Sequence, residues 1–126
     1  MACASKDSIT PTTDIVGKWS PTYITQTKNT AGNWEPFYTI NTFAPLPVYE
    51  FTADRRFLKD GKDGADCCTS GSKYTIVDNK ITFTERQICP TVKCILCENW
   101  AIIQIKNDTL ILEECGRVRN KFVRIK

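Results

Sequence analysis

The stretch Lys73-Tyr74-Thr75-Ile76-Val77-Asp78-Asn79-Lys80-Ile81-Thr82-Phe83 decides the fold. Tyr74 and Ile76 before the Asp78-Asn79 pair, and Ile81 and Phe83 after it, recur at every second position, the period of an extended strand that buries one face. Asp and Asn tolerate the positive φ that a tight hairpin turn requires, so the segment predicts two antiparallel strands and their turn. The same pattern recurs outward. Asn107-Asp108 is a second hairpin signal between Ile105 and Leu110, Ala31-Gly32-Asn33 is a turn, and Pro45 and Pro47 interrupt the chain between two further extended runs. The predicted strands are 15–27, 34–43, 48–53, 55–59, 72–77, 80–87, 98–106, 109–114 and 118–125. No stretch repeats apolar residues at helical spacing. The fold class is all-β, an antiparallel up-and-down meander of eight or nine strands, and closing it into a barrel would remove its exposed edges.

Alternation also sorts the faces. Tyr49 with Phe51, Tyr74 with Ile76, Ile81 with Phe83, Trp100 with Ile102 and Leu110 with Leu112 are predicted to point inward. Strand 98–106 is apolar on both faces and should be central or covered. With successive connections alternating between the two ends, the connections holding Cys67, Cys68, Cys89, Cys94, Cys97 and Cys115 fall at one end, and the chain enters the first strand there too.

The 126 residues suit one domain, with 1–14 as a flexible lead-in and 15–126 as the barrel. With no histidine, Ser-His-Asp and Cys-His catalysis and the HExxH zinc site are excluded. The carboxylates Glu50, Glu85 and Glu98 lack a spacing that implies acid–base work. No catalytic residue and no cofactor are assigned, and the chain reads as a non-enzyme. The net charge of +3 is small and interspersed, which argues against a nucleic-acid partner. The run Arg117, Arg119, Lys121, Arg124 and Lys126 reads as a solvated strand face at a sheet edge.

Seven cysteines in so short a chain predict export, because a reducing cytosol would leave them as thiols without a task. Six of them, Cys67, Cys68, Cys89, Cys94, Cys97 and Cys115, read as three disulfides at one end of the barrel. Proximity of loops suggests Cys89 with Cys97, and Cys94 and Cys115 to the Cys67-Cys68 doublet. The rival is a thiolate metal site built on Cys94-Ile95-Leu96-Cys97, for which the doublet is a poor second pair; a redox role for that motif lacks the helix N-terminus that lowers a thiol pKa. Asp60-Gly61-Lys62-Asp63-Gly64-Ala65-Asp66 has lysine where a calcium loop needs an oxygen ligand, so it reads as a solvated turn. Asn107-Asp108-Thr109 is a glycosylation sequon, relevant only in a eukaryotic secretory route. No metal site is assigned.

The remaining cysteine, Cys3, stands in the polar lead-in Cys3-Ala4-Ser5-Lys6-Asp7-Ser8, which resembles the start of a mature bacterial lipoprotein with its acylated first cysteine. That resemblance implies a lipid anchor at Cys3, a bacterial cell-envelope location and a signal peptide outside this numbering. A disulfide to another chain and an unmodified thiol are the alternatives. Gly17-Lys18-Trp19 resembles the Gly-x-Trp signature of lipocalins, and Tyr49–Asp54, Lys73–Phe83 and Lys121–Arg124 resemble small bacterial lipocalin-like (calycin) lipoproteins. The pattern Cys67-Cys68 with Cys89, Cys94 and Cys97 is similar to a cysteine-rich branch of that group. The resemblance implies that Trp19 plugs the closed end of an eight-stranded barrel with Arg124 or Arg119 lying across it.

The leading expectation is therefore a monomeric, membrane-tethered binding barrel that takes a small apolar ligand at the end without cysteines, bounded by Asn33, Trp34, Asp54, Arg55, Asp78, Asn79 and Asn107. Tyr49, Tyr74 and Trp100 would supply apolar surface, and Gln104 and Arg124 polar anchors. The same aromatics could instead pack a solid core. In that case the aromatic cluster of Thr30, Gly32, Trp34, Pro36, Phe37 and Tyr38 would serve a protein–protein module, an inhibitor or envelope-assembly factor.

Overall fold

The computed structural model describes residues 15–90, 97 and 99–125. Its strands are β1 (Gly17–Thr27), β2 (Tyr38–Thr39), β3 (Tyr49–Phe51), β4 (Phe57–Lys59), β5 (Lys62–Asp63), β6 (Lys73–Val77), β7 (Lys80–Thr84), β8 (Asn99–Lys106), β9 (Thr109–Glu114) and β10 (Val118–Arg124). They form one antiparallel sheet in the order β5-β4-β3-β1-β10-β9-β8-β7-β6, with β2 against β1, curled into a half-barrel. The deciding hairpin forms as its sequence dictates. Asp78 and Asn79 take φ of 52° and 63°, and Ile76 pairs with Ile81. Asn107 at φ 56° turns β8 into β9, and Asp60 and Gly61 at 52° and 78° turn β4 into the short β5.

The expected strand 34–43 survives only as β2, because Pro36 and an exposed surrounding deprive it of ladder partners and of a face to bury. Both β2 and β3 run antiparallel to β1, Ile24 against Thr39 and Trp19 against Tyr49, so they are two pieces of one interrupted strand. This removes one reversal from the expected alternation. β10 consequently returns antiparallel to β1, with Trp19 opposite Arg124 and Thr27 opposite Val118. The chain therefore enters β1 at the end opposite the cysteine loops, contrary to expectation. Asn33 and Trp34 lie at the cysteine end, away from the Asp78-Asn79 and Asn107 turns.

β10 lies between β1 and β9, so the basic face of Arg117, Arg119 and Lys121 is not on a sheet edge. The margins of the sheet are β5 and β6. The chain entering β4 meets β6 at one bridge, Arg56 with Lys73, flanked by hydrogen bonds from Phe57 N–H to Ser72 O (2.9 Å) and from Tyr74 N–H to Arg55 O (3.0 Å). Residues 64–72 fill the seam beside it. Ser70, wholly buried, donates to Gly64 O at 2.7 Å, and a Cβ on Gly71 would stand 1.9 Å from Thr84 O, so only glycine lets the loop lie this close.

Inside the curl Trp19, Phe51, Phe57, Tyr74, Ile81, Phe83, Trp100, Leu110, Leu112 and Phe122 are buried, as the alternation required. β8 is central, between β7 and β9. A bulge between Ile102 and Gln104 reverses its faces midway. Ile105 then packs against the core and Gln104 is exposed, so the expected inward anchor at Gln104 is overturned by that one extra residue.

Candidate functional site

At the end where the chain enters, Trp19 is wholly buried and the Arg124 guanidinium carbon lies 4.3 Å above its ring. Arg124 Nη1 donates to Val16 O at 3.0 Å, and Trp19 Nε1 donates to Ile15 O at 2.9 Å. Gly17, at φ 140°, leaves the room that Arg124 needs, since a Cβ there would fall 2.8 Å from Nη1. The structure thus brings the expected pair together. Arg124 also lies 3.6 Å from Asp108.

The expected interior aromatics are brought together in ring-to-ring contact. Tyr49 stacks on Trp100 at 5.5 Å and meets Phe57 and Phe122 at 5.1 and 4.9 Å. Trp100 meets Phe83 at 4.7 Å and Phe57 at 5.6 Å, while Tyr74 packs edge-on to Phe51 and donates its hydroxyl to Thr52 O at 2.7 Å. Trp100 Nε1 is buried without a hydrogen-bond partner among the described residues. Above Tyr49 lies a crevice of about 50 Å³, lined by Pro21, Tyr23, Leu46, Pro47 and Phe122.

Sequence reasoning overlooked a polar cluster at the cysteine end. Glu114 shares the inward face of Leu110 and Leu112, a placement that the alternation of β9 already implied. Asn120 Nδ2 donates to Glu114 Oε2 at 2.9 Å, Thr25 Oγ1 donates to Asn120 Oδ1 at 2.8 Å, and the Tyr49 hydroxyl lies 3.4 Å from Glu114 Oε1. Burial pushes the Glu114 carboxyl above its ordinary range, against the hydrogen bonds from Asn120 and Tyr49 and the charge of Lys59. Burial and then the Glu114 charge raise the Tyr49 hydroxyl well above its own. Asp66, in the loop read as a solvated turn, behaves oppositely. Burial pushes it up, but hydrogen bonds from Thr69 and the Cys68 N–H, with Lys59 at 3.4 Å, outweigh this and hold it well below the ordinary carboxylate range.

These shifts have opposite consequences for stability. The Glu114 contribution is full below its unfolded-state value and is lost as pH rises through the raised folded value; the Asp66 contribution is full above its unfolded value and is lost as pH falls. Glu114→Gln is accordingly expected to gain on the order of 1 kcal/mol over the parent at pH 8 and nothing at pH 4, read from urea midpoints. Equal differences at both pH values would contradict this placement of Glu114.

Outside the sheet, the segment after β1 folds over β10. Trp34, from the aromatic cluster that would serve a protein–protein module, is half-buried beneath Arg119 (4.0 Å) and Lys28 (5.2 Å), and Phe37 carries Lys121 at 5.3 Å. Phe37, Tyr38 and Phe43 are exposed. Arg119 Nε also donates to Glu113 Oε1 at 3.0 Å.

The disulfides join Cys67 to Cys89 and Cys97 to Cys115, replacing the expected Cys89–Cys97 pair and the link from Cys115 to the doublet. Bridges run between loops of neighbouring hairpins, with Cα separations of 5.6 and 5.3 Å, rather than across the one long loop. Cys68 is disulfide-bonded as well. Cys3 and Cys94 lie outside the described residues. None of the bonded sulfurs is a thiolate for a metal, and no three metal-ligating side chains gather among the described residues. Disulfides are compatible with an exported protein. Compared with protein-family models, curated proteins and solved structures, the chain matches none.

Proposed function

We propose that this chain is an exported, non-catalytic binding module, built on a solid lipocalin-like barrel and acting through its outer surface. The packing of Tyr49, Phe57, Phe83 and Trp100 carries this reading. Ring centroids 4.7 to 5.6 Å apart occupy the place where a carried ligand would sit. The crevice above Tyr49, at about 50 Å³, is far below the roughly 300–1,000 Å³ of a small-molecule pocket. The Arg56–Lys73 bridge supports closure of the half-barrel into a barrel, and the Trp19–Arg124 stack supports the lipocalin-like reading of its closed end. Envelope location and acylation of Cys3 belong to the same proposal, on the disulfides and the polar lead-in.

Thermal unfolding across a broad panel of fatty acids and other lipophiles tests it. A bound ligand at a hundred times its Kd adds about 2.7 kcal/mol, several degrees in Tm for a chain of this size. The expected result is no shift. A rise with any lipophile would restore the small apolar ligand as the reading.

A further inference from the structure

Resting on that surface-acting reading, we propose that the loop between β1 and β3 docks the protein on an anionic lipid surface. From Pro36 to Val48 the sequence has no charged residue. The rings of this stretch nevertheless face solvent, Phe43 completely, Tyr38 at 47% and Phe37 at 37% exposure. Cations line its base. Lys121 lies 5.3 Å from the Phe37 ring, and Lys28 and Arg119 lie on Trp34. Arg119 is neutralised by Glu113, and the single carboxylate between Lys28 and Val48, Glu35, is bound by Asn29 at 2.8 Å. Neither Lys28 nor Lys121 has a carboxylate within 4.0 Å among the described residues.

The loop is also held in a presenting shape. β1 bulges between Pro21 and Thr25, which puts Tyr23 at φ 65°, a strained value for a bulky residue. From that position Tyr23 O accepts from Ile40 N–H at 2.8 Å and Tyr23 Oη accepts from Leu46 N–H at 3.0 Å. Both stems of the tip are thereby fixed, and Phe43 projects between them. An uncharged aromatic tip above unneutralised lysines matches a headgroup layer, where rings sit at the boundary and cations meet phosphate. A bilayer accepts rings singly, whereas a protein partner requires a shaped patch of about 800 Å² on each side.

Sedimentation with vesicles tests the proposal, using the full chain with Cys3 unmodified so that no acyl anchor contributes. Binding is expected to vesicles of equimolar phosphatidylglycerol and phosphatidylcholine, but not to phosphatidylcholine alone. Phe43→Ser should weaken it about tenfold or more with unchanged Tm, because its ring is fully exposed, and Lys28→Glu with Lys121→Glu should weaken it about fivefold or more per site. Failure of the parent to bind anionic vesicles overturns the proposal, as does undiminished binding by Phe43→Ser. If the lipophile panel raises Tm, the surface-acting reading itself fails; if the panel is silent and vesicles are not bound, only lipid docking fails.

Discussion

Trp19→Ala is expected to lower Tm by roughly 10–20 °C, the largest effect of any single substitution considered. Trp19 is wholly buried where β1 begins, held by its Nε1 bond to Ile15 O and covered by Arg124. Removing a buried tryptophan costs about 3–5 kcal/mol through lost transfer energy and the cavity left behind. Here the guanidinium also loses the ring it lies on, along with about 1 kcal/mol of cation–π attraction. Against a total stability of about 5–15 kcal/mol, that is a large share. Trp19→Phe keeps a ring beneath Arg124 but forfeits the bond to Ile15, so its loss should be nearer 1–2 kcal/mol. Thermal circular dichroism of the two variants checks the order; equal losses would mean that Arg124 gains nothing from the ring.

The second large effect concerns the bridges. Cys97–Cys115 and Cys67–Cys89 close segments with sequence separations of 18 and 22, for which loop-closure entropy gives nearly the same stabilisation, about 3 kcal/mol each. Their surroundings separate them. Cys97 is buried and Cys115 packs against the core, while Cys67 and Cys89 are only partly buried. The double variant Cys97→Ser, Cys115→Ser also places a hydroxyl in that packing, and is expected to lose about 1–2 kcal/mol more than Cys67→Ser, Cys89→Ser. Urea midpoints of the two double variants measure the difference. A larger loss at Cys67–Cys89 would contradict the assigned packing.

Much of this architecture was legible because period-2 alternation reports a buried face directly. Tyr74, Ile76, Ile81 and Phe83 were assigned inward from their spacing, and the Asp78-Asn79 turn from its tolerance of positive φ. The same alternation placed Glu114 with Leu110 and Leu112, yet a carboxylate on an apolar face was passed over, and with it the polar cluster at the cysteine end. Alternation fails where the backbone inserts a residue. Nothing in Ile102-Ile103-Gln104-Ile105 announces the bulge that exposes Gln104 and turns Ile105 inward. Nor does the run 34–43 show that it follows the same direction as β3, which moved the chain's point of arrival in β1 away from the cysteines. Disulfide partners depend on which hairpins become neighbours in space, so Cys67–Cys89 and Cys97–Cys115 emerge from the folded sheet rather than from the spacing of the cysteines.

We propose that the interior of the curled sheet is full, leaving the outer surface to do the binding. Xenon enters dry apolar cavities large enough to hold it, as it does an engineered cavity of about 150 Å³. Crystals of the protein pressurised with xenon therefore test the claim most directly. The account predicts no xenon among Tyr49, Phe57, Phe83 and Trp100; an occupied xenon site there would contradict it.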